Sequence, residues 1–439
     1  MTGPSRPNRS AGPLGRRVAR RTLRFVGQLA GRDQPVGKPP FAEYLSLDAP
    51  ILVGGPRPRH DPGLDADPRL VVLMPHLSLD RMSGGPNTIL QITARLVPLG
   101  VRIRYVATFG GLEPDEAAIR AHIRQVTGID ADPSMVDFVD ASAAGADLAF
   151  GAGDVPFATW WRTAHVATAA LDVVRAREFV YLIQDFEPGF YPWSTKHALA
   201  AATYAMPMRA IVNERLLLDH LRSERIGIFG AADLQQQVVS FTPAVDRTLF
   251  VRRKRQPGTP RRAVFYARPR NPRNLFELGL RALRVAIAEG VFDDEPWEFR
   301  AIGQKLVDLP LSPRHVLQPV PWLPYPEYAA FLGESDLLLS LMLSPHTSYP
   351  PLEMSAAGGT VVTNTFGVKT AEALAAISPA IHAAQPDVAG LVAAMRSAVI
   401  SSSAAPAFDA TVDLPSTWDE ALRDVTPWLH QAIEEITQG

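Results

Sequence analysis

The stretch AVFYARPRNPRNLFELGL, residues 263–280, decides the fold. An apolar, aromatic run ends at Ala267, an Arg/Pro-rich turn follows, and a Leu/Ala-rich segment begins beyond Asn274. That order reads as strand, loop and helix, half of a βαβ unit. Arg268 stands at the strand's carboxyl end and Arg273 five residues on, beside the helix start. Two guanidiniums converging there would neutralise a diphosphate and stabilise a departing nucleotide; the competing reading is a solvated Arg-rich turn. Downstream the pattern repeats at EFRAI 298–302, LLLSL 337–341 and TVVTN 360–364. Upstream it repeats at LVVLM 70–74, VRIRYVA 101–107, DLAF 147–150, FVYLIQ 179–184, RAIVN 209–213 and QVVSF 237–241. Continuous apolar runs alternating with helical segments predict parallel sheets covered on both faces. The Pro/Arg-rich segment 243–262 divides the series, so the chain is expected to be α/β, with two Rossmann-like domains facing a cleft. Ligands of such sheets lie beyond the carboxyl ends of the strands.

Composition narrows the classes. The 439 residues, 46% hydrophobic, supply cores for two or three domains. Lys plus Arg is 44 against 45 for Asp plus Glu, a net charge of −1, which gives no whole-chain field to hold nucleic acid. The chain has no cysteine, which excludes disulfides, thiolate metal sites and a thiol nucleophile. No apolar stretch approaches the roughly 18 residues of a membrane span. The first 32 residues carry eight arginines and no acid, with Leu14, Val18, Phe25, Val26 and Leu29 near one helical face. They read either as a basic amphipathic helix for an anionic membrane surface or as a solvated basic tail. They lack the continuous apolar core of a secretory signal.

Other motifs gather at strand ends. Gly84 and Gly85 precede a helix, where backbone N–H groups approach a phosphate, although a Gly-Gly pair is often only a turn. Asp185 and Glu187 follow FVYLIQ, with Tyr191 and Trp193 beyond them. Carboxylates beside rings suit a sugar, and one carboxylate could equally be a cap. Trp160 and Trp161 could add a platform or belong to the core. Glu353, expected in the first turn of a helix beginning after Pro351, could accept bonds from a ribose diol or cap that helix. The DAD triplets at 65–67 and 130–132 lie in polar loops rather than at strand ends, and the histidines show no metal-ligand spacing, so no metal is expected. GAGDVP at 151–156 is a broken nicotinamide fingerprint.

Taken in order, the Gly-Gly loop, PAVDRTLF at 243–250, Arg268 with Arg273, and Glu353 before AAGGTVV resemble the family 4 retaining glycosyltransferases of GT-B fold. YLIQDFEPGFYPWS, RNLFELGL and PHTSYPPLEM are similar to the WsaF-type rhamnosyltransferases within that family. The resemblance covers most of residues 70–435. Outside it lies the basic tail or amphipathic helix at 1–34; beyond that the expected division is an acceptor-side domain at 35–242, a nucleotide-sugar domain at 243–410, and a helical segment at 411–439 packing back on the first domain. The resemblance further implies a dTDP-sugar donor, a lipid-linked glycan acceptor, transfer of L-rhamnose with retention at the cytoplasmic side, and no metal. Asp185 joins Arg268 and Arg273 as catalytic candidates. Gly303, Trp322, Leu323, His346, Thr347, Ser348 and Tyr349 fall where similar enzymes contact the donor. Trp160, Trp161, Asp185, Glu187, Tyr191 and Trp193 fall on the acceptor side. The sequence departs from the family's paired glutamates: Glu353 matches the second, but Pro345 stands at the first. A sugar-nucleotide epimerase and a non-catalytic glycan-binding protein of the same fold are the competing functions.

Overall fold

A computed structural model describes residues 54–438 apart from 83, 144, 235, 257 and 404–411. The basic N-terminal segment lies outside the described residues. Two seven-stranded sheets form the body of the molecule. The first contains β2 (Arg69–Met74), β3 (Arg102–Ala107), β4 (Val136–Asp140), β6 (Val155–Ala158), β7 (Phe179–Ile183), β8 (Met208–Asn213) and β9 (Val238–Phe241). Its order is β4-β3-β2-β6-β7-β8-β9, and all its strands are parallel. The second contains β10 (Arg261–Ala267), β11 (Trp297–Gly303), β12 (Leu309–Pro310), β13 (Val316–Pro319), β14 (Leu337–Leu339), β15 (Thr360–Asn364) and β16 (Ile381–Ala384). Its order is β12-β13-β11-β10-β14-β15-β16, antiparallel only at β12–β13.

The central strands are apolar because helices cover both faces: Leu70–Met74 and all of β7 are buried. Each sheet has a point where strand order reverses, between β2 and β6 in the first and between β10 and β14 in the second. Loops leaving adjacent strands diverge at such a point and open a crevice. The Gly84–Gly85 loop leaves β2, and the Arg268–Arg273 loop leaves β10. Both therefore lie at the switch points of their sheets.

Two local readings are corrected. DLAF is β5 (Asp147–Phe150), but it pairs with β1 (Arg57–His60) in a separate two-stranded parallel sheet. The strand that joins β2 is β6, which starts inside GAGDVP; its VPFA residues are all buried.

The chain passes between the halves twice, and the passes touch. Val245 N–H donates to Pro415 O at 3.0 Å, and Arg247 Nη2 donates to the carbonyls of Val412 and Leu414. Beyond them Leu422, Val425, Leu429, Ile433 and Ile436 pack into the core of the first sheet. The last helix, Val425–Gln438, thus belongs structurally to the N-terminal half.

Candidate active site

A cleft of about 2210 Å³ lies against the carboxyl ends of both sheets. From the N-terminal half it is lined by Gly84, Gly85, Trp160, Asp185 and Glu187, and from the C-terminal half by Arg268, Arg273, Gly303, Trp322, Leu323, His346, Ser348, Tyr349 and Glu353. Residues scattered over nearly three hundred positions meet here because parallel strands all end on one edge.

The arginine loop is shaped by backbone geometry. Pro272–Asn274 form one 3₁₀ turn, and Leu275 takes a left-handed conformation (φ 49°) before the Phe276–Ala288 helix. Arg273 is thereby turned into the cleft, its guanidinium 4.1 Å from the Phe190 ring centre and its Nη1 2.8 Å from Asp185 Oδ2. Its Nε is buried without an acceptor. Arg268 passes over Gly303 (φ 110°), where a Cβ would lie 3.1 Å from the arginine's Cγ.

Loop 344–349 is clasped from across the cleft. Ser344 Oγ donates to Asp185 Oδ1, and Thr347 N–H donates to Glu214 Oε1 at 3.0 Å. Tyr349 OH meets Thr88 Oγ1 at 2.8 Å and receives Asn213 Nδ2 at 3.2 Å. Ser348 (φ 73°) and Glu214 (φ 114°) are held in strained conformations on the two sides of this contact. Buried polar atoms without partners collect around the cleft: His76 Nδ1, Gln184 Oε1, Asn213 Oδ1 and His346 Nε2. Such groups are costly unless something polar meets them, which suits a hydroxyl-rich ligand.

Two buried carboxyls have opposite surroundings. Asp185 faces Arg273, whereas Glu187 is enclosed, receiving Trp161 N–H at 2.5 Å and Tyr181 OH at 2.9 Å on Oε2. Burial pushes Glu187 up to about 8, against those hydrogen bonds. Glu353 is likewise raised by burial, to about 7, although Tyr328 OH donates to its Oε2 at 2.8 Å. Lys369, buried with Nζ on Met342 O at 2.9 Å, is lowered by burial to about 8.

Several sequence expectations are revised. The helix carrying Glu353 begins at Tyr349, so the carboxylate sits in its second turn and caps nothing. Trp161 is a core residue, 1% exposed, donating its indole N–H to Tyr191 OH, so these two rings stay out of the cleft lining, whereas Trp160 belongs to it. Trp193, 95% exposed, stacks on His197 away from the cleft lining. Thr347 offers its backbone N–H to Glu214, and its hydroxyl is buried without a partner outside the lining. Sequence reasoning missed Gln184, Asn213, Glu214, Tyr325, Tyr328 and Lys369. Asn213 and Glu214 had a signal, since they close the apolar run RAIVN; Lys369 had none. The DAD aspartates are engaged locally, Asp65 with Ala152 N–H and Asp132 with Ser134. Among the described residues no three His, Asp or Glu gather as a metal would require.

Comparison with known proteins agrees with this geometry. The profile of the WsaF N-terminal domain matches residues 69–214 and that of the WsaF C-terminal domain residues 261–396, together more than half of the chain. The chain belongs to the WsaF family of GT-B glycosyltransferases. A curated relative, the O-antigen biosynthesis protein RfbC of Myxococcus xanthus, is 35% identical over 257 residues, covering 56% of this chain and 18% of that protein. The chain thus corresponds to under a fifth of that relative's length. Among solved structures, Anabaena Alr3699/HepE in complex with UDP-glucose superposes with a TM-score of 0.52 at 13% identity, over 84% of this chain and 100% of that one. Trehalose-6-phosphate synthase OtsA gives 0.50 at 10% identity, over 84% and 99%. At these identities the likeness is one of fold: two Rossmann-like domains in the GT-B arrangement.

Proposed function

We propose that this protein transfers L-rhamnose from dTDP-L-rhamnose, with retention, to a growing lipid-linked cell-surface glycan. The observation that carries the reading is that one cleft unites Arg268, Arg273 and Glu353 from the C-terminal half with Asp185 and the Gly84–Gly85 turn from the other. The arginines hold the diphosphate, and Glu353 holds the nucleoside sugar beside Gly303, Trp322 and Leu323. In the reaction the bond from the sugar's C1 to the β-phosphate oxygen breaks while the acceptor oxygen bonds C1 on the same face. The acceptor's proton passes to the departing phosphate, whose negative charge the arginines stabilise. No protein nucleophile and no metal are needed for this route. Asp185, at the floor of the cleft, accepts a hydrogen bond from a sugar hydroxyl.

A 6-deoxy sugar fits a loop where Pro345 replaces a carboxylate, because one hydroxyl fewer needs an acceptor. The name of the Myxococcus relative supports surface polysaccharide as the product, and the arginine-rich residues 1–32 support a working position at the cytoplasmic membrane face. Among the described residues no helix is long and apolar enough to cross a membrane. The test is calorimetric titration with dTDP-, UDP- and GDP-sugars. Tightest binding of dTDP-rhamnose supports the reading, and failure to bind any nucleotide refutes it.

A further inference from the structure

Loop 344–349 holds one side chain whose hydrogen bonding fixes where its proton sits. Ser348 N–H donates to His346 Nδ1 at 2.8 Å. A ring nitrogen that accepts a hydrogen bond carries no proton, so the imidazole is neutral and its single N–H is on Nε2. That Nε2 is buried without a partner, in a residue 4% exposed that lines the cleft. The ring is not free to swing toward a partner elsewhere. Ser348 is held at φ 73° while bonding Nδ1, and His346 N–H donates to Ser344 Oγ at 3.1 Å. Just before the loop, Leu343 N–H donates to Arg273 O and Met342 N–H to Asn364 Oδ1, both at 2.7 Å. The loop is braced along its length, and it presents one orphaned N–H at the cleft wall.

The atom that meets this N–H must be an acceptor, and the surroundings favour a hydroxyl over a phosphate. Ser344 Oγ, which takes the His346 N–H, gives its own proton to Asp185 Oδ1. Arg273 takes the other oxygen of that carboxylate, Oδ2. The imidazole is therefore linked to Asp185 on the side away from the guanidinium, where a phosphate would meet negative charge without its cation. Sugar hydroxyls both accept and donate, so a sugar can take the Nε2–H while giving protons to Asp185. The orphaned amide oxygens of the same lining, Gln184 Oε1 and Asn213 Oδ1, likewise call for hydroxyl protons.

Building on the assignment of this cleft to a nucleotide sugar, we infer that His346 recognises the sugar being transferred, its Nε2–H donating to a hydroxyl oxygen of the hexose. The imidazole then reads the hexose, while Arg268 and Arg273 hold the diphosphate and Glu353 the nucleoside. A sugar without that hydroxyl leaves a buried N–H unmet and is disfavoured.

Two substitutions separate the two ring nitrogens. His346→Asn keeps an oxygen for Ser348 N–H and removes the outward N–H, whereas His346→Gln restores an amide N–H farther along the side chain. Calorimetry on the full chain compares dTDP-rhamnose with dTDP, and dTDP binding reports that the cleft is folded. His346→Asn should weaken dTDP-rhamnose about tenfold and leave dTDP within about twofold, and His346→Gln should recover part of the loss. Equal weakening of both ligands by His346→Asn overturns the inference, because the imidazole then serves the diphosphate or the loop. Unchanged affinity for both overturns it as well, as does a Gln protein no better than the Asn one. If the wild type instead prefers another sugar nucleotide, the same comparison with that molecule and its nucleoside diphosphate decides the role of His346, and only the identity of the transferred sugar fails. A wild type that binds no nucleotide refutes both readings.

Discussion

Replacing Glu187 with Gln should stabilise the protein at neutral and mildly alkaline pH. The carboxyl is 3% exposed, and Arg273, the cation beside it, is engaged by Asp185. Its ordinary value of 4.5 is raised to about 8 by burial. The sign follows from proton counting: between these values the folded chain keeps a proton that the unfolded chain has released, so stability falls as pH rises. The loss begins near the unfolded value and is complete above the folded one. One proton corresponds to about 1.4 kcal/mol per pH unit, so from about pH 5.5 to about pH 7.5 Glu187 costs the wild type about 3 kcal/mol. The amide keeps a carbonyl for Trp161 N–H and Tyr181 OH and does not titrate. Glu353 titrates in both proteins and cancels in the difference. Urea unfolding followed by tryptophan fluorescence across this range should therefore show the variant's advantage growing with pH. Parallel pH profiles, or an advantage growing toward acid, would refute the argument.

Arg268→Ala or Arg273→Ala should lower dTDP affinity at least about tenfold, each removing a charge-assisted contact; unchanged calorimetric affinity with folding intact removes the assignment. Of the two, only Arg273→Ala should also lower the urea midpoint, because it leaves Asp185 buried without its cation. Glu353→Gln should weaken free dTDP as well as dTDP-rhamnose, and an effect confined to the intact sugar nucleotide would put this carboxylate on the hexose. Transfer should persist in EDTA, measured by product formation; abolition by chelation with recovery on adding Mg²⁺ or Mn²⁺ would refute a metal-independent route. Deleting residues 1–32 should reduce sedimentation with anionic liposomes at low salt while leaving transfer to a water-soluble acceptor near normal; equal binding by both proteins would make the tail a solvated appendage.

The parallel sheets were legible because buried parallel strands are written as continuous apolar runs, and FVYLI and TVVTN could be little else. DLAF misled for the same reason: β5, although paired only with the polar β1 in a separate two-stranded sheet, carries the apolar signature of a central strand, and only the partner distinguishes them. VPFA was hidden because Pro156 and the preceding glycines read as a loop, yet β6 is central and fully buried. Within the site, Arg268, Arg273 and Glu353 were visible from spacing and resemblance. Tyr325 and Lys369 were not, since what places them is the meeting of separate elements at the cleft, and no local pattern encodes that meeting.

The charge arrangement explains why two adjacent carboxyls need different fates. Asp185 shares Arg273 with Ser344 close by, so its negative charge is matched. An incoming diphosphate brings further negative charge to the same guanidinium. Were Glu187 ionised as well, Arg273 would serve two carboxylates before meeting any phosphate, and like charges a few ångströms apart oppose one another strongly where water is excluded. Enclosing Glu187 between Trp161 and Tyr181 holds its proton at neutral pH and removes that competitor. Asp185 then stands opposite the Arg273 guanidinium, and Arg268 has no carboxylate against it among the described ion pairs. Arg268 thus stays without a described carboxylate partner where a diphosphate would sit, while Asp185 remains to meet a hydroxyl, in a chain whose overall charge is only −1.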